Sequence, residues 1–161
     1  MDSLSNLEKK TPLINILTRT GSRKKEFELL NNSINEQTYK NIRHIKSNDN
    51  PNCTFLNNET DIIDVLKCKN LGSGFYNLYL NKLISEVNHG WIIILDDDSK
   101  LIDNSFIERL AKECENLNEN EVLIYQVLVW PQKCTLPSNG IIKQKKILYK
   151  NIDMACFLWT S

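Results

Sequence analysis

The first fifty residues change hydrophobic period twice, and this order is compatible with few folds. Leu13–Leu17 is a short run rich in Ile and Leu, which is typical of a strand buried on both faces. Lys24–Glu36 then has apolar residues at helical spacing, and Asn41–Lys46 has the pattern of a second strand. Because a strand, a helix and a strand in this order form a right-handed crossover, the segment predicts a parallel sheet covered by helices.

Later segments continue this alternation. Phe75–Val87 has helical spacing and would end at Gly90 as a C-terminal cap, with His89 near the negative end of the helix dipole. A capping box, Ser105-x-x-Glu108, predicts the start of another helix. Further strands are predicted over Glu121–Val129, Ile141–Tyr149 and Ile152–Trp159.

The chain has no internal repeat and no linker-like segment. Asp61–Leu66 fits either a short helix or a strand. We therefore predict a single α/β domain over residues 11–161, preceded by a loose polar leader at residues 1–10.

Composition excludes several classes of protein. Twenty basic and 20 acidic residues give a net charge of zero, so a nucleic-acid binder is not expected. The longest apolar run, Trp91–Leu95, is far shorter than the ~20 residues of a membrane-spanning helix, and no signal peptide opens the sequence. The five cysteines are an odd number without a Cys-x-x-Cys pair, which indicates reduced thiols and a cytoplasmic location.

The acidic triplet Asp96–Asp98 is the sharpest candidate for chemistry. It directly follows Trp91–Leu95, the clearest strand, and ligands of open α/β sheets bind at the carboxyl ends of strands. In an extended chain Asp96 and Asp98 point to one side and Asp97 to the other. Two carboxylates on one side could hold Mg²⁺ or Mn²⁺ together with a diphosphate. The alternative is a solvated acidic turn before the next helix.

Three segments resemble family-2-type GT-A glycosyltransferases, especially the small soluble members of large DNA viruses and bacteria. They are PLINILTRTGSR at residues 12–23, SINEQTYKNIRHIKSND at residues 33–49 and GWIIILDDDSK at residues 90–100. Asn151–Phe157 also resembles a late segment that lines the acceptor side in this family. The resemblance implies a GT-A fold, that is, a Rossmann-like and mostly parallel central sheet flanked by helices, with late antiparallel strands.

The resemblance also implies roles for individual residues at the donor site. Thr18, Arg19 and Thr20 would lie beside the nucleotide, and Asp49 would receive the base, with Asn48 as its close competitor. Asp96, Asp97 and Asp98 would form the donor site, in which Asp96 and Asp98 hold a Mn²⁺ or Mg²⁺ ion. Arg19 could instead form a surface ion pair, and Asp49 could instead cap a turn.

The general base is harder to assign. Family members usually carry an acidic residue on a helix after the late strands, whereas this sequence ends at Ser161 before such a segment. Asp153 could take the role, because it precedes the last apolar strand within the segment that resembles the acceptor wall. The alternatives are a truncated sequence, a base supplied from elsewhere, or an Asp153 that is an ordinary strand-end carboxylate.

Two functional hypotheses follow. The first is an enzyme that moves a sugar from a nucleoside-diphosphate sugar, with UDP-sugars favoured, to an acceptor hydroxyl. The second is a domain that binds the nucleotide sugar but is inactive without a further segment or partner. A receiver or phosphohydrolase site is a weaker alternative, since those folds place their key acid after the first strand. His44, inside the second predicted strand, is interpreted as structural.

Overall fold

The structure, a computed structural model, describes residues 11–50, 52–64, 75–118, 120–129, 132–144 and 154–160. Its strands are β1 (Ile14–Thr20), β2 (Ile42–Asn48), β3 (Ile62–Asp64), β4 (Trp91–Ile94), β5 (Leu123–Ile124), β6 (Val127–Val129), β7 (Cys134–Leu136) and β8 (Phe157–Thr160). Its α-helices are α1 (Lys24–Asn35), α2 (Phe75–Ser85), α3 (Phe106–Cys114) and α4 (Asn139–Gln144), and a 3₁₀ turn covers Met154–Cys156.

A six-stranded sheet with the order β3-β2-β1-β4-β8-β5 forms the centre of the described chain. β1 pairs in parallel with β2 and with β4, and β2 pairs in parallel with β3. β8 runs antiparallel to both β4 and β5. The predicted parallel sheet and the predicted late antiparallel strands are therefore confirmed.

The two faces of the sheet are covered by different helices. Successive side chains of a strand point to opposite faces, so β1 contributes Ile14 and Ile16 to one core and Leu17 to the other. The first core is completed by α1 and α3, through side chains such as Leu30 and Ile107. The second core includes Leu83 from α2. Each fully buried aliphatic side chain stabilises the fold by roughly 1.5–3 kcal/mol.

The predicted helix cap at Gly90 is wrong. α2 ends at Ser85, and the amides of Glu86 and Val87 close its last turn on carbonyls three residues back. Gly90 has φ +99° and passes so close to β1 that a β-carbon there would lie 2.7 Å from the Leu13 carbonyl oxygen. The glycine is therefore required by the approach of two chain segments and not by a helix end.

The three late strand predictions are also wrong in detail. In the segment predicted as a strand over Ile152–Trp159, Met154–Cys156 forms a 3₁₀ turn and the strand β8 begins only at Phe157. The segment predicted as one strand from Glu121 divides before Gln126: β5 joins the central sheet, whereas β6 pairs with β7. The Gln126 side chain, between the two strands, donates to the Pro137 carbonyl. The segment predicted as a strand from Ile141 begins inside α4, which starts at Asn139. The Ile141 amide donates to the Ser138 carbonyl in the first turn of this helix. Residues 145–150 lie outside the described residues. Within the described ranges, the helices are all too short or too polar to cross a bilayer.

Candidate functional site at the carboxyl edge of the sheet

The carboxyl ends of β2, β1 and β4 lie side by side. β1 is followed along the chain by β2 on one side, whereas β4 lies on its other side, so the connections diverge between β1 and β4. Such a divergence opens a crevice beyond the strand ends, which is where open α/β sheets bind ligands. The register continues past β4, because the Leu95 amide bonds the Leu17 carbonyl at 3.0 Å. The acidic triplet therefore follows at this edge.

The loops after β1 and β2 are joined by hydrogen bonds. The Asp49 amide donates to the Thr20 carbonyl at 2.9 Å, and the Asn50 side chain donates to the Gly21 carbonyl at 3.0 Å. Gly21 has φ +156°, and a β-carbon on it would overlap the Asp49 carboxylate. Asn48, whose side chain accepts from the Asn50 amide at 3.1 Å, lies in the same turn. The two residues predicted to receive the base thus lie beside the end of β1.

The three members of the acidic triplet differ in exposure, although the triplet forms a turn and not the extended segment that was predicted. Asp96 and Asp98 are exposed, whereas Asp97 is only 3% exposed. The triplet turns away from the sheet in a bend closed by the Ser99 amide on the Asp96 carbonyl at 2.9 Å. Two carboxylates therefore face solvent at the crevice, and the third lies inside the protein.

Arg23, which directly precedes α1, forms ion pairs with two members of the triplet. Its guanidinium contacts the buried Asp97 carboxylate, and its Nη1 lies 2.5 Å from Asp98 Oδ2. Arg23 was not among the predicted site residues, although it is the last residue of the first segment that resembles the glycosyltransferases. Its side chain extends from the loop after β1 to the triplet. A single basic residue so far from the triplet in the sequence forms no recognisable motif with it.

Burial dominates the electrostatics of Asp97. Desolvation raises the pKa of Asp97, and the Thr20 hydroxyl and the Arg23 guanidinium act in the opposite direction. Thr20, which is 2% exposed, approaches Asp97 closely but without good hydrogen-bond geometry. For Arg23, burial would lower the pKa, but Asp97 and then Asp98 raise it above its ordinary value. Asp97 therefore depends on Arg23 as its counter-ion.

Thr18 is fully buried and contacts another polar residue. His44 Nε2 lies 3.0 Å from the Thr18 hydroxyl, and His44 Nδ1 lies 3.3 Å from the side-chain oxygen of Asn31 on α1. Burial, followed by the charge of Lys46, lowers the pKa of His44 to about 3. The histidine is therefore neutral, as its structural interpretation requires. Arg19, between the two threonines, is half-buried on the opposite face of β1.

A second polar contact fixes the segment after the β2 turn. Lys46, which is 3% exposed, donates to Glu59 at 3.1 Å and to the Thr60 carbonyl at 3.0 Å. A buried ammonium needs such partners. The pair therefore fixes the chain that leads into β3 against β2.

Gln37 fixes the chain between the triplet and α3 by hydrogen bonds, a role that the sequence did not indicate. Its buried amide donates to the Asp103 carbonyl at 2.9 Å and accepts from the Ile107 amide at 3.0 Å. Ser33 on α1 accepts from the Leu101 amide at 3.1 Å. The helix start predicted at Ser105 is confirmed, since α3 begins at Phe106 with Ser105 as its N-cap residue. Ser105 makes no side-chain cap bond, however, and Gln37 receives the first-turn amide in its place. The only signal for Gln37 in the sequence was its place in the segment at residues 33–49 that resembles the glycosyltransferases.

The structure places the predicted donor-site residues as follows. Those at the carboxyl edge of β1, β2 and β4 are Thr18, Arg19, Thr20, Asn48, Asp49, Asp96, Asp97 and Asp98. Thr18, Thr20 and Asp97 are buried there, whereas Asp96 and Asp98 are exposed. Asp153, the predicted base, lies outside the described residues.

The exposed carboxylates fit a divalent cation in chemical type. Asp96 and Asp98 offer the hard oxygen ligands that Mg²⁺ and Mn²⁺ prefer. In the part of the chain that the structure describes, however, no three His, Cys, Asp or Glu side chains are grouped so that they could hold a metal ion. An ion at the triplet would therefore take further oxygen ligands from water and from a bound phosphate group, as Mg²⁺ commonly does.

Comparison with solved structures identifies the fold. Residues 1–349 of TarS from S. aureus, solved in complex with UDP, match with a TM-score of 0.64 and 14% sequence identity, over 91% of this chain and 46% of the TarS chain. A second structure of TarS 1–349 gives a TM-score of 0.57 and 15% identity over the same fractions. The predicted fold class, a mostly parallel central sheet flanked by helices with late antiparallel strands, is confirmed, and TarS shares this fold.

Comparisons of sequence add no closer relative. No protein-family model matches the chain, and no curated protein matches it. The chain spans less than half the length of the TarS chains.

Proposed function

We propose that this chain binds a nucleoside-diphosphate sugar, with UDP-sugars favoured, and transfers the sugar to an acceptor hydroxyl. The observation that supports this most is the pair of exposed carboxylates, Asp96 and Asp98, at the crevice between β1 and β4. The fold is shared with a protein solved in complex with UDP.

The proposed reaction exchanges one bond for another at the anomeric carbon. The acceptor oxygen forms a bond to that carbon, the bond from the carbon to the diphosphate oxygen breaks, and the nucleoside diphosphate leaves with the bonding electrons. The acceptor proton passes to a general base. A bound Mn²⁺ or Mg²⁺ ion would neutralise charge on the departing diphosphate. Asp96 and Asp98 would hold that ion, while Asp97 stays inside the protein as the partner of Arg23.

Asp49 is proposed to accept a hydrogen bond from the ring N–H of uracil. Its amide is fixed to the Thr20 carbonyl, so the residue has a defined position at the edge of the site. Asp49→Ala should weaken UDP but leave the binding of a Mn²⁺–pyrophosphate probe nearly unchanged. Asn48→Ala changes the competing residue in the same turn and shows which of the two residues receives the base. Equal losses for both probes in Asp49→Ala would show that Asp49 only holds the turn.

Asp153 is proposed as the general base, on the sequence resemblance alone. Asp153→Asn keeps the shape of the side chain and removes its capacity to accept a proton. Turnover should fall by at least ~10²-fold, the usual contribution of a general base, while UDP affinity stays the same. Near wild-type turnover in the variant would show that the base lies elsewhere.

The proposed function is tested by thermal melts and by turnover. UDP should raise the melting temperature more than GDP or CMP does, and only when Mn²⁺ is present. Release of UDP from UDP-sugars then separates a transferase from a domain that only binds the donor. Equal melting temperatures with and without UDP–Mn²⁺ would contradict the proposal. Binding without UDP release from any donor would favour the domain that requires a further segment.

A further inference from the structure

Arg23 bridges the buried and the exposed parts of the acidic triplet. Its guanidinium contacts the Asp97 carboxylate, and Nη1 lies 2.5 Å from Asp98 Oδ2. The Arg23 side chain is 43% exposed, so it lies at the surface of the crevice and not beneath it. A single cation thus neutralises two acidic residues of the candidate donor site.

The two ion pairs of Arg23 differ in how easily they can be broken. The Asp97 side chain is 4% exposed, and a buried carboxylate without its partner would be strongly unfavourable. The Asp98 side chain is 52% exposed, and pairs at such positions contribute little net stability because water can replace either partner. The contact with Asp97 is therefore durable, and the contact with Asp98 can be exchanged.

The contact with Asp98 also competes with a divalent cation. Nη1 occupies one of the two lone-pair positions of Asp98 Oδ2 and so competes with a metal ion for this oxygen. Two cations on one carboxylate oxygen also repel each other. Binding of an ion by Asp98 is therefore favoured when Arg23 withdraws from this carboxylate.

We infer that Arg23 exchanges partners when the donor binds: it keeps Asp97, releases Asp98 to the divalent cation and pairs with the diphosphate. The inference rests on the proposed function. A guanidinium can donate several hydrogen bonds in a fixed plane, so one edge can hold Asp97 while another faces phosphate oxygens. Arg23 is then a donor-binding residue that also occupies the cation site before the donor arrives.

The test measures Mn²⁺ and UDP separately. Arg23→Gln removes the charge, and Lys24→Gln removes the same charge from the next residue, which forms an ion pair with the exposed Glu28 at 3.7 Å. Binding of Mn²⁺ alone is followed by electron paramagnetic resonance, and binding of UDP at saturating Mn²⁺ by calorimetry. Asp97→Asn and the double variant Arg23→Gln/Asp97→Asn repeat the comparison without a buried, unpaired carboxylate.

The inference predicts changes of opposite sign. Arg23→Gln should bind Mn²⁺ alone about 3- to 10-fold more tightly than Lys24→Gln does, because the competing cation is gone. It should bind UDP at saturating Mn²⁺ roughly tenfold more weakly or worse, because a charge-assisted bond to the diphosphate is lost. The double variant should likewise bind Mn²⁺ alone more tightly, and UDP at saturating Mn²⁺ more weakly, than Asp97→Asn does. An arginine with a purely structural role would weaken both ligands.

Three outcomes decide between the inference and the proposed function. Opposite changes in the two affinities support the inference. Parallel losses, or affinities equal to those of Lys24→Gln, overturn the inference and leave the proposed function intact, provided that the wild type binds UDP with Mn²⁺. A wild-type protein that binds neither Mn²⁺ nor UDP overturns both.

Discussion

Gly21 lies directly against the carboxylate of Asp49, although the two residues follow different strands. A β-carbon on Gly21 would overlap the Asp49 side chain and would lie 2.9 Å from the Asn50 amide nitrogen. The φ of +156° at Gly21 adds to the constraint. The absence of a side chain at Gly21 therefore allows the loops after β1 and β2 to meet at the candidate site.

Gly21→Ala should displace the Asp49 loop and weaken UDP binding by roughly tenfold, the loss expected when a hydrogen bond to a charged group is misplaced. Calorimetry with UDP and with Mn²⁺–pyrophosphate should show a selective loss of UDP affinity.

Gly90→Ala is the matched control, because Gly90 is similarly crowded but lies at the opposite edge of the sheet, before β4. That control should lower the melting temperature and leave UDP affinity unchanged. Gly140→Ala, with no atom closer than 3.9 Å, should change neither. A UDP affinity in Gly21→Ala equal to that of Gly90→Ala would contradict the prediction.

His44 should make the protein less stable in mild acid. Its pKa is about 3 in the folded protein and near 6.5 when unfolded, so only the unfolded chain takes up a proton between these values. The stability that depends on neutral His44 is complete above pH 6.5 and is lost progressively as the pH falls towards 3. Over the upper part of this window the free energy of unfolding should fall by up to ~1.4 kcal/mol per pH unit.

Urea unfolding at pH 7, 6 and 5 tests this expectation. His44→Gln should lose most of the dependence on pH between 6.5 and 5. His89→Gln, at the second of the two histidines, changes an exposed side chain and serves as the control. If the wild type and His44→Gln lose stability in parallel, the acid sensitivity arises from other groups.

The apolar alternation was sufficient to predict the parallel sheet, but not where its strands end. β1 was predicted to stop at Leu17, yet it continues to Thr20 because each of these residues has a partner in β2, up to Thr20 opposite Asn48. Polar residues can extend a strand when its neighbour supplies the pairing, and a pattern of apolar residues does not contain that information. The segment from Glu121 was predicted as one strand because its hydrophobicity is nearly continuous. The structure divides it between two sheets, and the apolar pattern does not show where one sheet ends and the other begins.

The candidate site could be predicted in part. Asp96–Asp98 was selected because three acids follow the clearest strand, but the turn that brings both Asp97 and Asp98 to Arg23 was not predicted. Arg23 and Gln37 were missed because they act across long sequence distances. Arg23 is 75 residues from Asp98, and Gln37 is 70 residues from Ile107. Contacts of this kind depend on how the helices pack on the sheet, which one sequence does not state.

Gln37 should be important for stability. Gln37→Leu would leave the Ile107 amide and the Asp103 carbonyl without the partners they have in the folded protein. The expected loss is about 2–4 kcal/mol in the free energy of unfolding, since each buried polar group left unsatisfied costs on the order of 1–3 kcal/mol. Urea unfolding measures this loss. Gln132→Leu, at an exposed glutamine, should change the stability by less than about 0.5 kcal/mol. Similar values for the two variants would contradict the role assigned to Gln37.

Calorimetric titration of UDP into the wild type and Asp98→Ala, with Mn²⁺ and with a chelator, tests the proposed donor site most directly. The wild type should bind UDP tightly only with Mn²⁺. Asp98→Ala should lose this Mn²⁺-dependent binding but keep its melting temperature or raise it, because Asp98 is half-exposed and its removal reduces repulsion within the triplet. Glu28→Ala, at an exposed acid on α1, should bind UDP as the wild type does. If Asp98→Ala binds UDP with Mn²⁺ as tightly as the wild type, the proposed metal-dependent donor site is wrong.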